Sequence, residues 1–353
     1  MVSNPARGNG KPVRLTRSMR DGAMKILLIK QTSLGDVLHA SGPIRSIKEH
    51  FPHCELHLLT APGPAEIYRH SPWVDEIILL DRDGCKRNWS TRPLWVAGEI
   101  RRVTAQVRRH HFDLAFDLQG LAKSVWFLYA ARSTKKFVKG NWPFIAGFRD
   151  RKMHAIEEMG QVLQMAGIPV RDASMELPTG RDEVEFVDTL RSGIQAGKKP
   201  VLIISPFSRW RSKDWPLQKF IEVGVQVGDT YQVVFTGTSE RQAEIDRALD
   251  RANAGSCLNL AGRLTLLQFA ELVDRATLML TGDSFPMHVA GAKKTPVIAL
   301  FGPTDERRVG PLGARDRIVR VEGCTVCDKR NCPRYCLSRL DTDWVTRAVR
   351  NHR

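Results

Sequence analysis

The sequence predicts an α/β protein built from two Rossmann-like, doubly wound domains facing a central cleft. Two observations carry the prediction. Short β-type apolar runs alternate with helical segments, and the alternation occurs twice along the chain. A length of 353 residues also suits two domains of about 100–200 residues each. Parallel crossovers are almost always right-handed, so each half predicts a parallel sheet wound by helices.

In the first half, Lys25–Ile29 (KILLI), Glu55–Leu59, Glu76–Leu80 and Asp113–Asp117 read as strands. Helical candidates lie at Asp36–Glu49 and Pro93–His110. In the second half the strands are Val201–Ile204, Gln232–Phe235, Thr277–Thr281 and Pro296–Phe301. Helices are predicted at Pro216–Val227, Glu240–Arg251 and Thr265–Asp274, with a last one at Asp341–His352 capped by Asp341. The break falls around Pro178–Pro200, which assigns residues 24–185 to an N-terminal domain and 186–353 to a C-terminal one. Residues 1–23 are polar, carry Arg7, Lys11, Arg14, Arg17 and Arg20, and read as a disordered basic leader without the apolar centre of a signal peptide.

Composition narrows the class. Hydrophobic residues make up 42% and charged residues 26%, as in an ordinary globular protein. No apolar run approaches the ~20 residues of a membrane span. Lys+Arg 54 against Asp+Glu 38 gives a formal charge of +16, which favours nucleotides, nucleic acid or an anionic lipid surface as partners. Aromatic content is 7% and scattered, and no recognition-helix or zinc-finger pattern occurs, so nucleic acid is not the expected partner. Seven cysteines without an export signal point to a reducing compartment. The helix Val96–His110 carries Val96, Ile100, Val103 and Val107 on one stripe and four arginines largely on other faces, either as a solvated surface or as a membrane or acceptor-phosphate contact.

Four segments could carry chemistry. Lys30-Gln-Thr-Ser-Leu-Gly-Asp36 follows the first strand, where open α/β folds bind ligands. It lacks the three spaced glycines of a dinucleotide fingerprint. Thr32, Ser33 and Gly35 are candidate phosphate or acceptor contacts, and Asp36 lies where a helix dipole favours a carboxylate. Ser205 to Pro216 offers Ser208, Arg209, Arg211 and Lys213 as donors for a diphosphate. Thr281 to His288, followed by Phe301-Gly302-Pro303-Thr304, predicts a helix capped by Ser284 with Pro286 in its first turn, an anion site aimed at the cleft. Cys324, Cys327, Cys332 and Cys336 offer four thiols, which read as a structural zinc site, as ligands of a labile iron–sulfur cluster, or as reduced thiols packing a loop.

In this order, TSLGD after strand one, Asp117-Leu-Gln-Gly-Leu-Ala-Lys-Ser124, Asp283-Ser-x-Pro-Met-His288, Phe301-Gly-Pro-Thr304 and the cysteine block, the chain resembles glycosyltransferase family 9, the lipopolysaccharide heptosyltransferase family. The resemblance runs from Met24 to the C-terminus. It implies the GT-B architecture, with residues 24–185 as acceptor domain and 186–353 as nucleotide-sugar donor domain, and an inverting, metal-independent transfer from a nucleotide sugar, typically ADP-heptose, to an anionic glycolipid acceptor. Such an enzyme needs no cofactor. It is expected in the cytoplasm, peripheral on the inner face of the membrane.

Carried over by position, Asp36 is the expected catalytic base, and Lys213 and Ser208 the donor-phosphate contacts. Asp283, Ser284 and His288 form the donor turn, with Gly302 and Thr304 beside them, and Glu240 is a candidate ribose contact. Gln119 and Lys123 are acceptor or phosphate candidates. The family usually has glycine where this chain has Phe285, which changes the volume beside the pyrophosphate. Two other readings stand beside this one: a non-catalytic nucleotide-sugar binder on the same fold, and a basic nucleic-acid-binding protein.

Overall fold

The computed structural model describes residues 24–194, 199–324, 326–330 and 335–352. The leader and Cys332 lie outside the described residues. The chain divides into two units: residues up to Ala65 with Pro72–Ala173, and Glu66–Ser71 with everything from Ser174.

The first unit is a six-stranded sheet of β1 (Lys25–Ile29), β2 (Glu55–Thr60), β3 (Glu76–Leu79), β4 (His111–Asp117), β5 (Arg132–Lys139) and β6 (Ala146–Phe148). Its order is β3-β2-β1-β4-β5-β6, and every pairing is parallel. The second unit repeats the pattern with β7 (Val201–Ser205), β8 (Gln232–Phe235), β9 (Leu258–Asn259), β10 (Leu278–Gly282), β11 (Val297–Phe301) and β12 (Arg317–Arg320). Its order is β12-β11-β10-β7-β8-β9. Counted from its own first strand, that is the same Rossmann order 3-2-1-4-5-6 as in the first unit.

Burial explains the central strands. Ile26, Leu27, Leu28 and Ile29 are fully buried, as expected of a parallel strand covered on both faces. Each such side chain contributes about 1.5–3 kcal/mol relative to exposure. Leu202, Ile203 and Ile204 do the same in β7. Helix Pro93–Arg108 buries Val96, Val103 and Val107 on its predicted stripe.

Two predicted features come out differently. The helix expected over Asp36–Glu49 is two helices, Leu34–Leu38 and Ser41–His50, broken at His39–Ala40. Ser33 caps the first, so it starts before Asp36 and places that carboxylate at the third helical position. Ser284 does occupy the N-cap of helix Phe285–Lys293, but its side chain makes no capping bond. Its Oγ lies 3.3 Å from Thr281 Oγ1 and 3.4 Å from the Gly282 carbonyl instead.

Strand order reverses between β1 and β4 in one sheet and between β7 and β10 in the other. At such points the loops leaving the carboxyl ends of two adjacent strands run apart and open a crevice. The segments after β1 and β4, and after β7 and β10, are the motif segments of the sequence.

Candidate functional site

In the first unit the loop after β1 aims Asp36 at the carboxyl edge of the sheet. Ser33 is the reason for its orientation. The Ser33 amide donates to Asp36 Oδ2 at 3.0 Å and its hydroxyl donates to the same oxygen at 2.7 Å. Both bonds go to one oxygen, so Oδ1 has no hydrogen-bond partner among the described residues. Burial pushes the Asp36 carboxyl up, but the Lys30 charge, the Ser33 bonds and His39 together outweigh it and hold the acid well below its ordinary 3.8. Asp36 is therefore an ionised carboxylate with one oxygen clamped and one open.

Lys30, not singled out as a functional residue in the sequence, is the hidden partner. It is 3% exposed and its ammonium donates to the Leu118 carbonyl at 3.3 Å. Burial lowers its pKa, while Asp36 and Asp117 act in the opposite sense. Lys30 opens the segment after the first strand, and only the tertiary packing reveals its contacts.

The loop after β4 completes this edge. Asp117 is fully buried. Its Oδ1 accepts from the Gln119 and Gly120 amides at 2.7 and 3.0 Å. Burial nevertheless pushes its carboxyl up to about 6, above what those bonds and Lys30 can reverse. Gln119 Oε1 in turn accepts from the Thr32 amide at 3.1 Å, tying the two loops together. Gly120 sits at φ +67, and a Cβ there would lie 1.8 Å from the Lys139 carbonyl oxygen. Gly35 is buried inside the short helix and is packing rather than an open contact. Lys123 is exposed at the start of helix Ala122–Ala130. Partial burial first, then the Arg82 and Lys86 charges, lower its pKa, so three cations cluster there.

In the second unit the loop after β7 and the turn after β10 meet through one ion pair. Lys213 Nζ donates to Asp283 Oδ2 at 2.6 Å. Thr304 Oγ1, from the loop after β11, donates to the same oxygen at 2.6 Å. Asp283 is 5% exposed, so its charge is answered inside the protein. The Lys213 ammonium also lies 4.4 Å from the centre of the Trp210 ring. Ser208 faces inward: its hydroxyl donates to the Trp210 carbonyl at 2.8 Å and its amide donates to Asp214 at 2.8 Å. The structure thus gives Ser208 a loop-shaping bond of its own. Arg209 and Arg211 are exposed, with Arg211 5.3 Å from the Tyr335 ring centre.

His288 is buried in the helix that Ser284 opens. Glu240 is exposed beyond β8, in the turn Ser239–Arg241. Gly302 lies against the Leu337 side chain, 3.1 Å from where its Cβ would stand. The cysteine segment packs on the same loop, since the Cys327 amide donates to the Pro303 carbonyl at 2.9 Å. Burial first, then a bond to Cys336 and the nearby Cys336 and Cys327 thiols, push Cys324 up to about 11. Arg320 braces the loop by donating to the Gly302 and Thr304 carbonyls at 3.0 and 2.9 Å.

Chemically, the first edge offers an ionised carboxylate beside a buried lysine. The second offers an ammonium with donors to spare, beside a helix N-terminus. The first can take a proton from a hydroxyl and the second can hold an anion. Comparison with known proteins identifies the family. The family model described as glycosyltransferase family 9 (heptosyltransferase) matches residues 100–337. The chain is similar to the lipopolysaccharide core heptosyltransferase OpsX of Haemophilus influenzae, with 24% identity over 84% of this chain and 84% of that one. Among solved structures it is similar to a glycosyl transferase family 9 protein of Veillonella parvula, with TM-score 0.77 and 17% identity, covering 93% of this chain and 96% of that one. It is similar also to the ADP-heptose lps heptosyltransferase II of E. coli, with TM-score 0.73 and 20% identity, covering 93% of this chain and 98% of that one.

Proposed function

The chain belongs to glycosyltransferase family 9 and is a glycosyltransferase, and on that premise we propose that it moves a heptose from ADP-heptose to a lipopolysaccharide-core-like glycolipid with inversion at the anomeric carbon. The observation that carries the reading is the pair of loops at the two strand-order reversals: the clamped, ionised Asp36 on one and the Lys213–Asp283–Thr304 set on the other. Support for the donor comes from the similarity to an enzyme described as an ADP-heptose heptosyltransferase.

The acceptor hydroxyl attacks the anomeric carbon as the bond to the diphosphate breaks. Asp36 takes the hydroxyl proton on its open oxygen, and Lys30 stabilises the carboxylate until then. In-line attack by a positioned hydroxyl inverts the configuration, and no covalent sugar–enzyme intermediate forms. Lys213 keeps one donor on Asp283 and turns the others to the departing diphosphate, where preorganised charge counts most. Arg209, Arg211 and the helix start at Ser284–Met287 add to it. Glu240 and His288 complete the donor site, with Ser208 holding the loop after β7 and Gly302 and Thr304 shaping the floor. Thr32, Ser33, Gln119 and Lys123 lie on the acceptor side, where the Arg82, Lys86 and Lys123 charges suit a phosphorylated saccharide.

No described helix is long and apolar enough to cross a membrane. We infer a peripheral contact with the inner leaflet instead. The first unit exposes Trp89, Trp95, Trp126, Tyr129 and Phe144, residue types that favour the membrane–water boundary. The net charge of +16 adds attraction to anionic lipid. A structural zinc on Cys324, Cys327, Cys332 and Cys336 would brace the Gly302–Thr304 loop and take no part in transfer.

The test is a thermal-shift screen of the purified chain against ADP-, UDP- and GDP-sugars, with DNA as control. A ligand bound only by the folded state at about 100 times its Kd stabilises by about 2.7 kcal/mol. Selective stabilisation by an ADP-sugar supports the reading. A response to DNA alone, or to no nucleotide sugar, removes it.

A further inference from the structure

The strands of the first unit are parallel, so their first residues line one edge, opposite the edge that carries Asp36 and Asp117. At that first-residue edge His57, Glu76 and His110 converge. His57, the third residue of β2, is paired in register with Glu76, the first residue of β3. His110 stands immediately before β4. The His57 and His110 rings lie 4.7 Å apart, centre to centre, with Phe112 edge-on to His57.

The His57 ring is fully buried, and both of its nitrogens face carboxylates. Nε2 lies 2.8 Å from Glu55 Oε1, and Glu55 is held in turn by Lys25 at 2.7 Å. Nδ1 lies 3.1 Å from Glu76 Oε2, yet off the hydrogen-bonding direction, so Nδ1 has no hydrogen-bond partner among the described residues. With its proton on Nε2, donated to Glu55, the ring leaves Nδ1 as a buried acceptor without a donor, beside a carboxylate oxygen. Two acceptors lie 3.1 Å apart, the histidine buried and the glutamate partly exposed. That arrangement is unfavourable unless a cation lies between them.

We propose that His57, Glu76 and His110 bind one divalent transition-metal ion of the zinc type. Their ligand atoms all lie within 4.8 Å of one another. Tetrahedral zinc with bonds of about 2.0–2.2 Å sets ligand atoms about 3.4 Å apart. The distances of 3.1 Å from Glu76 to His57 and 3.9 Å from Glu76 to His110 bracket that value. Two imidazoles and a carboxylate are a donor set that borderline ions prefer over magnesium or calcium. Glu55 on the far nitrogen fixes the tautomer that leaves Nδ1 free, as outer partners of metal-bound histidines do. Glu76 and His110 are partly exposed, which gives an ion and a fourth, water ligand a way in. The ion would clip β2, β3 and the start of β4 together. It is distinct from the cysteine segment, which belongs to the other unit, and the proposal does not rest on the sugar donor assigned above.

The experiment titrates cobalt(II) into the full chain after chelator treatment, for the unaltered protein, Glu76→Gln and His110→Gln. Cobalt bound to nitrogen and oxygen gives visible bands without the near-ultraviolet sulfur band that cysteine ligands produce. The expected result is one more equivalent of cobalt bound by the unaltered chain than by either variant, the difference carrying no sulfur band. Equal uptake by all three, or a difference that carries the sulfur band, overturns the proposal. Should a variant fail to fold, ring-nitrogen NMR of the unaltered chain with zinc decides. Metal-induced shifts confined to the His57 and His110 rings uphold the site, and their absence refutes it.

Discussion

Asp36→Asn separates the proposed chemistry from binding. The substitution keeps the shape of the side chain and removes its charge. In the structure that charge receives two hydrogen bonds from Ser33, at 3.0 and 2.7 Å. Charge-assisted bonds contribute about 1.5–3 kcal/mol against about 0.5–1.5 for neutral ones. Losing about 1 kcal/mol on each predicts a folded state about 2 kcal/mol less stable at neutral pH. Asp36 is held below its ordinary 3.8, so its contribution is fully present above that pH and is lost as pH falls through the lower folded-state value. The stability deficit of the variant should therefore shrink in strong acid. A general base contributes about 10²–10⁴-fold to rate, so kcat should fall by that factor with donor binding intact. Stopped-time assays of nucleoside diphosphate release, paired with donor-induced thermal shifts, read both quantities. A variant that keeps its turnover, or that loses donor binding and turnover together, would refute the assignment of Asp36 as base.

Three further outcomes are expected. Asp117 has its acid raised from 3.8 to about 6 by burial, a displacement that favours the protonated form by about 3 kcal/mol. The sign is opposite to that of Asp36: stability is lost as pH rises from about 4 to 6, and melting curves of Asp117→Asn should be flatter over that interval than those of the unaltered chain. Lys213→Met leaves the buried Asp283 with, among the described residues, only the Thr304 hydroxyl, at a cost of about 3–5 kcal/mol. Adding Asp283→Asn should restore much of the melting temperature without restoring donor affinity, whereas full recovery of affinity would remove Lys213 from the donor site. Gly120→Ala places a methyl 1.8 Å from a backbone oxygen at a positive φ, and denaturant unfolding should show a loss of about 2–5 kcal/mol.

The central strands were legible because nothing but a buried strand suits KILLI or VLII between turn residues. Lys25–Ile29 and Gln232–Phe235 fall where the sequence puts them. β5 was not legible. Its residues RSTKKFVK are half exposed along most of their length and carry no apolar run to mark them. β9, of 2 residues, is too short to signal at all. The motif residues after β1, β7 and β10 could be named from the sequence, since polar turns after buried strands mark the binding edge of such sheets. Their partners could not. Lys213 and Asp283 stand 70 residues apart, and the role of Lys30 depends on burial beneath loops from two strands. Arg320, which braces the Gly302–Thr304 loop, belongs to an edge strand that the pattern does not reveal.

The most direct test of the account incubates the purified chain with ADP-heptose and a lipid-linked core saccharide and follows ADP release, acceptor mass and anomeric configuration together. The account predicts stoichiometric ADP, an acceptor heavier by one heptose residue and a linkage inverted relative to the donor. Retention of configuration would contradict the mechanism assigned to Asp36. Absence of ADP release, alongside turnover of a UDP- or GDP-sugar, would contradict the assigned donor.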